Sequence, residues 1–281
     1  MKLTFSNWLA GFFIAAALGV ISSLAVAAPD SKLQEFWVVH DETSNVKVSH
    51  LAWQEILDKY LDTAHPSGVN RFAYAAVKKD DIKLLGSYLE SLQVIDPRRL
   101  SRAEQLPYWV NFYNALTVQV ILKEYPIESI RSIRFLSSPF GPWDKNLVKV
   151  QRKNLSLNDI EHGILRPIWK DPRIHFAVNC ASIGCPNLIG KAFSAKNSDT
   201  LLEAAASAFI NHSRGVEVSN EGLMLSSIFD WYSSDFGASR SAVMTYISRY
   251  LDGGSQLIDK VNKSDSVIKI EYQYDWALNK P

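Results

Sequence analysis

Cysteine is nearly absent: the 281 residues hold only two, Cys180 and Cys185. Two cysteines do not make a disulfide-stapled scaffold, and a chain of this length buries a core without one. An excess of one charge is also missing, with 30 Lys plus Arg against 29 Asp plus Glu. No global field therefore selects nucleic acid or an anionic membrane surface as partner. The chain has no His-x-x-x-His and no paired Cys-x-x-Cys pattern, so a transition-metal site has no sequence basis, and no cofactor is expected. Gly-rich phosphate loops, internal repeats and low-complexity linkers are lacking too. What is there is 47% hydrophobic and 21% charged, the composition of an ordered globular protein.

Long apolar runs are missing except at the start, where Lys2 precedes the run Trp8 to Ile21 and Ala25-Val26-Ala27-Ala28 follows. A basic start, an apolar middle and small residues at an A-x-A site are the three parts of a secretory signal peptide, with cleavage after Ala27 or Ala28. An uncleaved membrane anchor is the alternative, because the run is almost long enough to span a bilayer. The expectation is a signal peptide over residues 1–28, a periplasmic or secreted location, and no stable membrane insertion after cleavage.

Residues 29–281 are expected to form a single α+β domain, a buried central helix packed against a small antiparallel sheet. Apolar residues at helical spacing predict helices over His50 to Leu61 and Asp80 to Leu92. Ser101-Arg102-Ala103-Glu104 has the pattern of a capping box, with Pro107 suited to the first turn of a helix running to about Glu124. That helix is apolar nearly all round, the mark of a buried one. Its exceptions are Asn111 and Asn114, three apart on one face, which either tie the helix to neighbouring backbone or face a ligand. Phe72 to Ala75, Ile130 to Leu136, Leu147 to Val150 and Val267 to Tyr272 read as strands. Ser156 to Asp159 caps a short helix carrying Glu161 and His162. Further helices are expected at Thr200 to Asn211, Ile228 to Tyr232 and Ala238 to Leu251. A hairpin is expected around Asn220-Glu221-Gly222.

The stretch Arg173 to Pro186 carries both cysteines. Read as a strand, it puts Ile174, Phe176 and Val178 on a core face and Arg173, His175 and Asn179 on the other, a polar row that points to a cleft or a hydrogen-bonded network. Cys180 continues the apolar face. Cys185, between Gly184 and Pro186, would be the N-cap of a following helical turn, where dipole and free N–H groups favour a thiolate.

Four ordered segments resemble the domain-of-unknown-function 547 family: Tyr108 to Ala115, Ile160 to Arg166, Arg173 to Cys180 with Gly184-Cys185-Pro186, and Ile228 to Tyr232 with Asp235-Phe236-Gly237, over about residues 100 to 240. The resemblance implies a link to the papain and transglutaminase-like superfamily, with a cysteine, a histidine and a carboxylate or amide around a cleft. In that superfamily the cysteine opens the central helix and the histidine follows on a strand. Here Asn111 is near the start of the helix and His175 precedes both cysteines, so either the constellation is rearranged or the cleft is kept without the chemistry.

The expected site is a thiol centre with Cys185 as nucleophile, Cys180 as the alternative thiol, His175 as base, Glu161 orienting it, and Asn111 or backbone N–H groups holding an oxyanion. It would hydrolyse or transfer a peptide-like amide or a thioester. The rival is a non-catalytic cleft for a small thiol, a peptide or cell-envelope material, with Arg173, Asn114 and Asn179 as contacts. A structural disulfide between Cys180 and Cys185 is the remaining reading.

Overall fold

The computed structural model describes residues 29–135, 141–219, 222–254 and 269–281. The expected signal segment lies outside them. Leu51–Tyr60 forms helix α1 and buries Trp53, Ile56, Leu57 and Tyr60, the i, i+3, i+4, i+7 stripe of an amphipathic helix. Leu61–Asp62 (β1) pairs antiparallel with Arg71–Phe72 (β2). The expected strand at 72–75 contributes only its first residue, because the chain turns into a 3-10 helix at Tyr74–Ala76. Lys79–Val94 is α2.

Arg102–Glu124 is α3, buried on every side from Pro107 to Val118, and it packs against α2 and the short helix at 159–165. Full burial of each large side chain here stabilises the fold by about 2 kcal/mol. The capping box is not formed as the sequence suggests. Ser101 occupies the N-cap without a side-chain capping bond, and Glu104 instead pairs with Lys47 at 3.0 Å. Pro107 lies inside the helix rather than in its first turn.

Ile130 to Leu136 is not a strand over its described part: Ser129 Oγ accepts from the Arg131 N–H and closes a 3-10 turn over Ile130–Ser132, and Leu136 lies outside the described residues. Val148–Val150 (β3) and Lys153–Leu155 (β4) form a hairpin. Ser156 and Asp159 then cap each other's backbone, Ser156 Oγ accepting from Asp159 N–H at 3.1 Å and Asp159 Oδ2 accepting from Ser156 N–H at 2.9 Å. The helix they start is a π-helix over Asp159–Leu165, whose end is marked by the Arg166 N–H bonding back to Glu161 O. Such helices are rare and recur at functional sites. It continues as α4, Arg166–Trp169.

Ser198–Ile210 (α5) follows. The expected hairpin is Val216–Val218 (β5) against Leu223–Ser226 (β6); its turn residues 220–221 lie outside the described ones. Ile228–Trp231 (α6) and Arg240–Ser248 (α7) come next. Ile270–Gln273 (β7) adds to β6 in parallel. The fold is therefore α+β, with three small sheets among the described residues. Its apolar interior has two parts. Helices α1 to α3 enclose one; α5, the β5–β6 hairpin, α6 and α7 enclose the other. The cysteine-bearing stretch is the seam: Ile174, Ala177 and Ala181 belong to the first part and Phe176 to the second.

Candidate functional site

The stretch expected as a strand begins as a 3-10 turn over Pro172–Phe176. Asp171 accepts from the Arg173 N–H at 2.9 Å, and Pro172 fixes the φ that the turn needs at its first position. With three residues per turn, side chains two apart diverge by about 240° instead of sharing a face. Arg173 and His175 accordingly do not form a row. Arg173 faces Asp171 at 2.7 Å and Asp199 at 3.0 Å, with Glu203 beside them, away from the thiols. His175 turns inward and stacks on Tyr232, ring centroids 4.0 Å apart.

His175 Nε2 meets Asp235 Oδ2 at 2.7 Å. The same carboxylate takes a two-pronged pair from Arg166, at 2.6 and 3.1 Å. Burial pushes the Asp235 carboxyl up, but the bonds from His175 and Arg166 outweigh it and hold the group well below the usual carboxylate range. His175 Nδ1 is buried with no hydrogen-bond partner among the described residues and lies 4.0 Å from Glu161 Oε1. Glu161 and its neighbour His162 both project from the π-helix, the His162 Nδ1 3.9 Å from the same oxygen. Burial pushes His162 down, toward its neutral form. Burial also pushes Tyr113 and Tyr232 well up, with the charges of Glu161 and Cys180 adding to it. The Asp235–His175 pair, Glu161 and the two tyrosines therefore form one buried polar cluster, with Cys180 within electrostatic reach of it.

The three asparagines build the loop. Asn111 holds both backbone groups of Phe193, at 2.8 and 3.0 Å. Asn114 donates to Ala177 O at 2.9 Å and accepts from Asn179 N–H at 2.8 Å. Asn179 donates to Pro186 O at 2.7 Å and accepts from Ala181 N–H at 2.8 Å. These bonds explain why a helix otherwise apolar carries amides: each clamps irregular backbone that would otherwise be buried with unmet hydrogen bonds. Asn111 does not point at either sulfur. The C-terminal tail closes the loop from outside, with Ile183 and Gly184 N–H bonding Ala277 O and Asp275 O, both at 2.8 Å.

The thiols are unequal. Both are free. Cys180 is partly exposed, and its sulfur contacts Ser182 Oγ at 3.1 Å and Tyr274 OH at 3.0 Å. Those two hydroxyls are 2.8 Å apart. The neighbouring Cys185 thiol, then the hydrogen bonds of Ser182 and Tyr274, lower the Cys180 thiol from its ordinary value against the opposing effect of burial. Cys185 is buried; its sulfur accepts from the Cys180 N–H at 3.1 Å and reaches Val178 O at 3.7 Å. Burial pushes its thiol well up. Cys185 is not an N-cap either, because no helix follows Pro186; Asn187 instead bonds Asn70 N–H at 2.9 Å and Arg214 at 2.7 Å. Arg214 also donates to Ile183 O at 3.2 Å, and burial lowers its guanidinium to about 10. Neither ring nitrogen of His175 is hydrogen-bonded to a sulfur: Nε2 is held by Asp235, and Nδ1 has no partner among the described residues.

The sequence singles out Cys180, Cys185, His175 and Glu161 but gives no role to Ser182, Tyr274, Arg214 or Arg166, and marks Asp235 only as part of the family-like segment Asp235-Phe236-Gly237. Tyr274 carried no local signal, since it lies 94 residues from Cys180. Among the described residues no group of three or more His, Cys, Asp or Glu is placed to hold a metal ion, and no helix is long and apolar enough to cross a membrane. No curated protein and no solved structure matches the chain. One family model does match, over residues 97–210, described as a protein of unknown function, DUF547. That segment runs from the approach to α3 through both cysteines to the end of α5, whereas Arg214, Asp235 and Tyr274 lie beyond it; over that segment the chain is similar to the DUF547 family.

Proposed function

We propose that the chain is an exported, thiol-dependent hydrolase or acyl transferase in which Cys180, rather than Cys185, is the nucleophile. The observation that carries this reading is the cradle around Cys180 Sγ, where Ser182 Oγ and Tyr274 OH both lie in hydrogen-bonding contact. When Cys180 loses its proton these donors turn toward one sulfur, which is how a partly buried thiolate is stabilised. Export rests on the pattern of residues 1–28.

The cradle favours a thioester over an amide. Expelling an amine requires a proton donor at the leaving group. The hydroxyls bonded to the Cys180 sulfur are poor acids, since burial pushes that of Tyr274 well up and the alkyl hydroxyl of Ser182 is weaker still. A thiolate leaves a thioester without that help. Cys180 Sγ attacks the acyl carbon, the C–S bond to the leaving thiolate breaks, and an acyl-cysteine results. In hydrolysis a water gives its proton to the unpaired His175 Nδ1 while its oxygen attacks the acyl carbon, and Cys180 departs as thiolate. Asp235, bonded to His175 Nε2 at 2.7 Å, stabilises the imidazolium that forms.

The test is turnover of a panel of S-acyl thioesters and matched amides by the purified protein. Cys180→Ser is expected to remove thioester turnover by about a hundredfold or more, whereas Cys185→Ser, which keeps a donor in place, retains measurable turnover. Full activity in Cys180→Ser would refute the thiol mechanism, and binding of thioesters without turnover by the wild-type chain would favour the non-catalytic cleft.

A further inference from the structure

We propose that Cys180 and Cys185 form a redox-active dithiol that reduces an external disulfide by thiol–disulfide exchange. The proposal shares its attacking sulfur with the acyl-transfer reading but does not rest on acyl chemistry. Three observations on the pair carry it. The sulfur of Cys185 lies 3.1 Å from the backbone nitrogen of Cys180, so the two cysteines are direct neighbours in space. Exposure is divided between them: Cys180 is partly exposed and Cys185 is buried, the division expected of an attacking thiol and a resolving thiol. The loop joining them is pinned on three sides, by Asn179 to Pro186 O, by Arg214 to Ile183 O, and by the tail at Gly184. The pair therefore keeps its spacing through a reaction. The acidity of the two thiols points the same way, lowered at the exposed one and raised at the buried one.

The chemistry balances with a disulfide as the sole co-reactant. Cys180 thiolate attacks one sulfur of the external disulfide, its S–S bond breaks, and the first product leaves as thiolate while a mixed disulfide forms on Cys180. That thiolate takes the proton of the Cys185 thiol. Cys185 Sγ then attacks Cys180 Sγ, the mixed disulfide breaks, and the second product thiolate leaves and takes its proton from solvent. The external disulfide gains two electrons and the pair loses them, ending as a Cys180–Cys185 disulfide. A thiol reductant returns the pair to its starting state by the reverse exchange. The buried Arg214 guanidinium, which feels the charge on Cys185, offsets the negative charge that Cys185 carries as it attacks. The oxidised pair has no free sulfur for acyl transfer, so exchange would also silence that activity.

The experiment treats the full-length protein, as purified and reduced, with oxidised glutathione and reads intact mass and released thiol. Wild-type chain is expected to release two thiols per glutathione disulfide and to end lighter by two hydrogens, with no adduct. Cys185→Ser should release one thiol and keep one glutathione on Cys180, located by peptide mapping. Cys180→Ser should react at least tenfold more slowly than either. The proposal is overturned if wild-type chain retains the adduct as Cys185→Ser does, for then Cys185 does not resolve it, or if neither cysteine reacts in a wild-type chain whose circular dichroism is that of a folded protein. Thioester turnover measured on the same samples separates the two readings: exchange without turnover would sink acyl transfer alone, and turnover without exchange would sink the dithiol alone.

Discussion

Cys180 is set apart from Cys185 by its neighbours more than by its own burial. Each of the two hydroxyls near its sulfur is within hydrogen-bonding distance of the other as well as of the sulfur. With Cys180 protonated, the three groups can pass one proton each around a ring; with Cys180 ionised, both hydroxyl protons are free to point at sulfur. Tyr274→Phe removes one of these donors and leaves the ring in place to pack. A hydrogen bond to a charged group is worth about 1.5 kcal/mol, so alkylation of Cys180 by iodoacetamide at neutral pH should slow by about tenfold, and its pH profile should move to higher pH. Glu161 and Arg214 face the same pair and are unchanged in the variant. An unaltered profile would mean that Tyr274 only packs there.

The element that brings Tyr274 to the thiol is the C-terminal tail, and Gly184 is the residue that lets it approach. A Cβ at Gly184 would meet the backbone nitrogen of Asp275 at 2.6 Å and its oxygen at 3.0 Å, and backbone cannot swing aside as a side chain end can. Gly184→Ala should therefore displace the tail, weaken the bonds to Ala277 O and Asp275 O, and slow Cys180 alkylation in the same direction as Tyr274→Phe, at a stability cost of about 1 to 3 kcal/mol in urea. A variant as stable and as reactive as wild type would show that the tail does not govern the thiol. Such long-range placement is what the sequence conceals. The burial of α3 was legible because apolar residues on every side of a long helix admit one reading. The five residues 172–176 were not, because so short an alternation fits a strand as well as a tight turn, and what decides it is the Asp171-Pro172 start just before the alternation. The π-helix was hidden for a similar reason: its hydrogen bonds span five residues, and seven residues are too few to show that period. The asparagines were legible as buried amides needing partners, but whether those partners were backbone or ligand depended on loops far along the chain.

At the scale of the whole molecule, the buried titratable groups divide its acid sensitivity into two windows. Carboxyls held low in the folded chain, Asp235 and Asp96 among them, contribute stability that is complete above the unfolded carboxylate value and is lost only as the pH falls below about 4. Histidines buried in neutral form act earlier. His50, at the N-cap of α1, bonds Tyr88 OH at 2.7 Å through Nδ1, while its Nε2 is buried without a partner among the described residues. Burial lowers it to about 4 from the ordinary histidine value of 6.5, against a smaller opposing effect of Glu104. Between those two values the unfolded chain binds a proton that the folded chain refuses, so stability falls as the pH is lowered through the window. The full loss is about 3 kcal/mol for this one residue. His162, also pushed down by burial, adds a loss of the same sign. Urea unfolding at a series of pH values should therefore show stability declining between about 6.5 and 4 before the carboxyls begin to titrate. His50→Gln, which can still bond Tyr88 but does not titrate, should make that decline shallower and leave the part due to His162. If the variant declines as steeply as wild type, His50 is protonated in the folded chain, and its burial costs the protein nothing in acid.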